Sequence, residues 1–170
     1  MEAVTGGVIL RETTEADVFA FFEHQLDPEA NRMAAFTGKD PTNRDAFLAR
    51  WRRILTIANE TITTRTIIQG GTVLGHVLSY DDDGHLEVSY WIGRPYWGRG
   101  VASRALQAFL GVVTVRPLYA RVAKDNHGSL RVLQKCGFEI YGEGKGYAEA
   151  RGEEVEEFLL RLGADPIGEP

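Results

Sequence analysis

A single cysteine, Cys136, in 170 residues leaves no intramolecular disulfide to form, so the fold must rest on its core and not on covalent staples. The N-terminus lacks a basic segment followed by an apolar run, and no window approaches the ~20 apolar residues needed to cross a bilayer. The chain therefore reads as cytoplasmic, with no membrane partner. Basic charge is short as well: 19 Lys and Arg against 24 Asp and Glu give a net charge of -5. That balance supplies no general field for nucleic acid, and any polyanion must be met by a local patch, which suits a small phosphorylated ligand better than DNA. The four histidines, His24, His76, His85 and His127, fall on different elements at no metal-ligand spacing, and no metal is expected. A G-x-S-x-G hydrolase elbow and a G-x-x-x-x-G-K-[ST] phosphate loop are both missing. There is no internal repeat and no linker, so residues 1–170 read as one domain with a frayed tail over 163–170.

What is present is a 44% hydrophobic chain, enough for one core. Residues 8–11 make a short strand. Thr13 or Thr14 is placed to cap a helix whose Val18, Phe19, Phe21 and Phe22 share a side. A second helix carries Phe47, Leu48, Trp51, Ile54 and Leu55 at helical spacing. Between the two, residues 29–39 are polar and irregular, either a lid over an acceptor pocket or an ordinary surface loop.

From residue 61 the period becomes two. Strands at 61–68, 72–80 and 85–92 form an antiparallel meander across the Gly70-Gly71 turn and the Asp81-Asp82-Asp83-Gly84 run. On the third strand Leu86, Val88, Tyr90 and Ile92 share one face, and Glu87, Ser89 and Trp91 the other. A helix from about Ala102 then buries Ala105, Leu106, Phe109 and Leu110, and residues 118–123 return as a parallel strand. Residues 126–135 are a short helix closed by Gly137. A last hairpin, 138–143 with 155–162, encloses a flexible loop at 142–152.

The stretch 90–110 organises the rest, because it runs from strand through Gly93, Pro95, Gly98 and Gly100 into a helix. A first helical turn has no internal partners for its N–H groups, so those of Arg99, Gly100, Val101, Ala102 and Ser103 converge on one point, where the dipole also favours an anion. Arg94, Arg99 and Arg104 add full positive charges, and a bound phosphate fits better than a plain strand-to-helix connection. Gly98, Gly100 and Asp125 also imitate a dinucleotide loop. Against that fold, position 103 is Ser where a third small residue is expected, only 45 residues follow Asp125, and the preceding strands are antiparallel.

The run W-G-R-G-V-A at 97–102 resembles the pyrophosphate signature [QR]-x-x-G-x-[GA] of the GNAT superfamily of N-acetyltransferases, with Gly100 and Ala102 in the small positions. Trp97 stands where Gln or Arg is usual, a departure also seen in the branch that acetylates ribosomal-protein N-termini. The second signature, N-x-x-S with a helix and then G-F, is similar to Asn126 to Ser129 followed by Gly137-Phe138. The D-P-E-A-N-R-M-A stretch at 27–34 is like that branch too.

The resemblance implies an α/β fold of the α+β type. Its six to seven strands form a mixed, mostly antiparallel sheet, flanked by about four helices, with one parallel pair splayed at the acetyl-CoA site. It also implies an acetyl-CoA-dependent acyltransferase in which the backbone of Tyr90, Trp91 and Ile92 holds the pantetheine arm. Asn126 bonds that arm from the opposite wall, or caps the last helix, or both. The partner is an amine: a peptide N-terminus or a small molecule, taken by direct attack in a ternary complex. At pH 7 a lysine amine is neutral in about one molecule of 2,500, and an α-amine in roughly one of seven, so an α-amine asks less of a base. Glu87 is the candidate base, unless it is only a solvated residue on an exposed face. Where the family often places a tyrosine acid this chain has Leu133, so Ser129 becomes the hydrogen-bond donor to the leaving thiolate, with Tyr90, Tyr119 and Tyr147 as substitutes. The same position leaves open a non-catalytic acyl-CoA-binding module, and the chain is compatible with either a monomer or a homodimer.

Overall fold

Period-two patterning builds one sheet in the computed structural model, which describes residues 3–58 and 61–163. Its strands are β1 (Ala3–Thr5), β2 (Val8–Glu12), β3 (Ile62–Gln69), β4 (Thr72–Asp82), β5 (His85–Ile92), β6 (Leu118–Ala123), β7 (Glu139–Ala148) and β8 (Glu153–Leu162). They lie in the order β1-β2-β3-β4-β5-β6-β8-β7, and every neighbouring pair is antiparallel except β5 and β6. Five helices accompany them: α1 (Asp17–Gln25), α2 (Pro28–Ala34), α3 (Arg44–Thr56), α4 (Val101–Val112) and α5 (His127–Lys135), with a 3-10 turn at Arg94–Tyr96. This is the expected mixed sheet with its one parallel pair; the three-residue β1 and the helix α2 are additions to it.

Two apolar layers fix the helices. On one face Val88, Ile92, Ala120 and Val122 pack against Leu106 and Phe109 of α4 and Leu133 of α5. On the other, Phe21, Phe22, Phe47 and Trp51 of α1 and α3 close over Val73 and Leu78 of β4. Each fully buried Val, Leu, Ile or Phe among them contributes about 1.5–3 kcal/mol. The alternation along β5 is as expected: its even positions join the α4 layer and its odd positions face α3.

Three local expectations are corrected. Residues 28–34 are helical, because Pro28 presets the first turn and the Asp27 carboxylate accepts from the N–H groups of Glu29 (2.8 Å) and Ala30 (3.0 Å). Residues 142–148 continue β7, so the connection to β8 shrinks to four residues; glycines at 142, 144 and 146 weaken the strand signal, while the pairing with Glu154 to Leu159 overrides it. The tail expected to fray lies, after Gly163, outside the described residues.

The third correction concerns α1. Neither Thr13 nor Thr14 caps it. Asp17, in its first turn, instead reaches back to accept from the Thr14 N–H (2.8 Å), from Thr66 (2.8 Å) and from both guanidinium nitrogens of Arg11 (2.7 and 2.8 Å). Asp17 is only 5% exposed. Burial alone would raise its pKa, but the Arg11, Thr14 and Thr66 hydrogen bonds outweigh it and hold the carboxyl at about 2. A depressed folded pKa contributes stability above the unfolded value and loses it as pH falls. The protein should therefore lose about 2 kcal/mol between roughly pH 4 and pH 2 from this group alone. Urea melts across that range check this, and Asp17→Asn should flatten the dependence while lowering stability at pH 7 by about 2–3 kcal/mol.

Candidate active site

Only one register pair, Glu87 with Tyr119, joins β5 to β6; beyond it the strands part. A cleft of about 1930 Å³ opens there, lined from one face of the sheet by Val88, Tyr90, Val122 and Ser129 and from the other by Glu87, Trp51 and His76. It passes through the sheet.

Main-chain groups alternate sides along a strand. The Gly93 N–H donates to Leu74 (2.8 Å) on β4, and a Cβ placed on Gly75 would sit 2.1 Å from the Trp91 carbonyl, so odd-numbered groups face β4. Those of Tyr90 and Ile92 face the gap. Trp91 meets the cleft with its side chain, not its main chain. The Ile92 carbonyl already accepts from the Trp97 indole (2.9 Å). What the parting leaves on β5 thus includes the Tyr90 N–H and carbonyl and the Ile92 N–H.

At the end of the gap the chain turns into α4. Gly98 and Gly100 sit at φ of 76° and 75°, a region an L side chain enters at a cost of about 1–2 kcal/mol. No side chain caps α4. The N–H groups of Val101, Ala102 and Ser103 therefore point into the cleft, which Gly100, Val101, Ala102 and Ser103 all line. The three arginines do not line it. Arg94 pairs with Asp27 (3.1 Å) and lies over the Trp97 ring, Arg99 lies over Tyr96, and Arg104 folds back onto the Arg99 carbonyl (2.9 Å).

Opposite β5, Asn126 caps α5 by accepting from the Ser129 N–H (3.2 Å), and its amide donates to the Met33 carbonyl of α2 (3.2 Å). The Ser129 hydroxyl shares a 2.7 Å hydrogen bond with the Tyr90 hydroxyl, whose pKa burial pushes up to about 12. Both groups line the cleft, and such a pair polarises mutually. Tyr119 is instead stacked on His85 (4.2 Å), and Tyr147 is exposed. Leu133 is buried in the α4 layer.

Glu87 lines the other face and is only 7% exposed. Burial pushes its carboxyl up from the ordinary value; the Arg121 guanidinium pulls it down, and Asp82 and Glu157 add to the rise. Glu157 on β8, also in the cleft, is raised by burial and lowered by Arg121, which it approaches at 3.7 Å. Among the described residues no group of His, Cys, Asp and Glu is arranged to hold a metal ion, and no helix is long and apolar enough to cross a membrane.

The acetyltransferase (GNAT) domain family matches residues 8–139 of this sequence. The chain belongs to the GNAT acetyltransferase family. An N-acetyltransferase of Bacillus licheniformis described as uncharacterized, p20, is 27% identical over 85 residues, 48% of each chain, so the match spans about half the length of that relative. In fold, this GNAT domain is similar to RimJ of Mycobacterium smegmatis, solved with a CoA-disulfide (TM-score 0.76, 22% identity, 99% of this chain and 88% of that one). It is likewise similar to the ribosomal-protein-S5-alanine acetyltransferase of Vibrio fischeri (TM-score 0.78, 15% identity, all of both chains).

Sequence reasoning missed two parts of this GNAT cleft. Glu157 and Arg121 meet across β8 and β6, whose pairing no local pattern announces, although the alternation of β8 does set Glu157 on the face opposite Phe158 and Leu160. Arg151, in the β7–β8 turn, is the other. Its guanidinium grips both Asp125 carboxylate oxygens and donates through Nε to the Arg32 carbonyl (2.8 Å). That tie, with Asn126 on Met33, fastens α2 beside the cleft. Arg151→Ala leaves the Arg32 carbonyl and Asp125 without this donor and should lower stability to urea by about 1–3 kcal/mol, with Arg151→Lys recovering less than half, since an ammonium lacks the fork.

Proposed function

We propose that this chain is an acetyl-CoA-dependent N-acetyltransferase, folded as one domain and working in the cytoplasm, that acetylates a primary amine by direct attack in a ternary complex. The observation that carries the reading is the single-pair junction of β5 and β6, which leaves main-chain donors facing one cleft together with an uncapped α4 and a buried carboxylate. The fit to coenzyme A rests on that chemistry: amides without partners at α4 suit a diphosphate, and the strand-like edge of Tyr90 and Ile92 suits an amide-bearing arm. When bound, acetyl-CoA supplies the thioester that the amine attacks.

The residues then have separate tasks. Val101, Ala102 and Ser103 hold the diphosphate with their N–H groups, while Arg94, Arg99 and Arg104 contribute charge from outside the cleft. An N–H of β5 draws charge from the thioester carbonyl. Glu87 takes the proton of the amine, directly or through a water, and Ser129, backed by Tyr90, donates a hydrogen bond to the departing sulfur. With its high pKa the Tyr90 hydroxyl keeps its proton across the working range.

Because burial raises Glu87, its deprotonation limb in kcat/KM should lie above the ordinary carboxylate value of 4.5. Glu87→Gln should remove that limb, leaving only the amine's own, and lower kcat by about 10²-fold. Full activity of this variant from pH 6 to 9 would remove Glu87 from the chemistry. Leu133, where the family often has tyrosine, favours a second reading, a module that binds acyl-CoA and transfers nothing. Release of free CoA with any amine excludes it, and calorimetry showing tighter binding of NADPH than of acetyl-CoA would exclude both.

A further inference from the structure

The cleft is asymmetric. On its α4 side it offers main-chain donors and small residues; on its α3 side it offers rings. There His76 packs between Phe21 (4.6 Å) and Trp51 (4.9 Å), and stands directly opposite Trp91 on the next strand. Leu78, Ile54 and Phe36 extend this wall. Trp91 Nε1 is sealed from solvent and has no partner, so the indole presents ring carbons to the cleft. His76 is uncharged at any physiological pH, since burial above all, then the nearby charges of His24 and Arg50, lower its pKa to about 3. Along the rings themselves the unpartnered His76 Nδ1 and Trp91 Nε1 are the polar atoms, too few for a many-hydroxyl sugar amine or the length of a polyamine, whereas an apolar side chain of ring size would keep water off them.

Both signs of charge line the cleft: Glu87, Asp81 and Glu157 on one hand, Arg121 and Arg50 on the other. Arg50 projects from α3 near enough for its charge to act on both His76 and Tyr80, where it opposes the rise that burial imposes on the tyrosine, and Tyr80 is the cross-strand partner of Glu87. Arg50 makes no ion pair or side-chain hydrogen bond among the described residues, although Arg11, Arg32, Arg94, Arg121 and Arg151 all have carboxylate partners. A cation lining the same cleft as the carboxylate placed to receive an amine, and acting on that carboxylate's cross-strand neighbour, complements a molecule that carries amine and carboxylate on one carbon.

We infer that the acceptor is a free α-amino acid with a large apolar side chain: its amine meets Glu87, its carboxylate meets Arg50, and its side chain lies against Trp51, Trp91 and Leu78. This rests on the acetyltransferase reading and narrows it. The transfer balances simply, the amine nitrogen forming a bond to the acetyl carbon as the carbon–sulfur bond breaks, with one amine proton passing to Glu87 and the sulfur leaving as thiolate.

The test is kcat/KM with acetyl-CoA against phenylalanine, phenethylamine, alanine, spermidine and the peptide Phe-Ala-Ala, with acetyl-CoA binding measured in parallel by calorimetry. Phenylalanine should exceed phenethylamine, which lacks the carboxylate, by roughly 10-fold or more, and alanine, which lacks the ring, by a similar factor. Arg50→Gln should bring the phenylalanine-to-phenethylamine ratio down towards one. Trp51 is part of the core, so the ring wall is probed through Trp91→Leu, which should reduce the phenylalanine-to-alanine ratio by about 3- to 10-fold. The inference is overturned if spermidine, alanine or the peptide matches phenylalanine, if Arg50→Gln leaves the first ratio unchanged, or if none of the five is acetylated. In that last case retained acetyl-CoA binding leaves the broader reading standing, and absent binding removes it as well.

Discussion

Two parallel strands that meet at one residue pair and then separate impose the terms on everything else in this molecule. Each residue of separation exposes backbone donors and acceptors that a closed sheet would pair, at a cost of about 1–3 kcal/mol for any group left both buried and unmatched. The opening is tolerable because the strands on either side are pinned elsewhere. β5 keeps an unbroken ladder to β4 from His85 to Ile92, and β6 keeps one to β8 along its whole length. The core beneath, centred on Leu106 and Phe109, holds α4 across the same gap from below. Rigidity at the flanks is what allows an aperture in the middle.

The aperture separates two chemistries that must not mix. Groups that suit anions, the free amides of α4 and the hydroxyl pair of Tyr90 and Ser129, lie on the side packed by α4 and α5. Groups that suit an amine, Glu87 with Glu157 and Asp82 about it and Arg121 tempering all three, lie on the other. One sheet thickness divides them. The strand's own alternation keeps the carboxylate away from the diphosphate side by turning odd and even residues to opposite faces.

Much of this was legible from residue order. Period two marks β3, β4 and β5, and it assigns Glu87 and Trp91 to one face and Tyr90 and Ile92 to the other. The glycines at 98 and 100 announce the turn into α4, and Gly137 announces the end of α5, where the Phe138 and Gly137 N–H groups close onto Leu133 and Gln134 (3.0 Å each). What stayed hidden is non-local. The three arginines of the 90–110 stretch look like anion ligands in one dimension; in three, Asp27, Tyr96 and the Arg99 carbonyl lie nearer to hand. Asp17 shows why Thr13 and Thr14 failed as caps, since its bond to Thr66 spans 49 residues. Arg50 is one of four arginines on α3, and nothing in the spacing separates it from Arg52 and Arg53.

The indole of Trp97 on the Ile92 carbonyl has a meaning beyond the cleft. An interior gap in a sheet is a pair of bare edges, and bare edges recruit stray strands from neighbouring molecules. By occupying one acceptor at the mouth, the indole shortens the template that a foreign strand would find, leaving it fewer sites than a stable ladder requires. The same indole that closes the turn into α4 thus also trims the open edge of β5 by one acceptor.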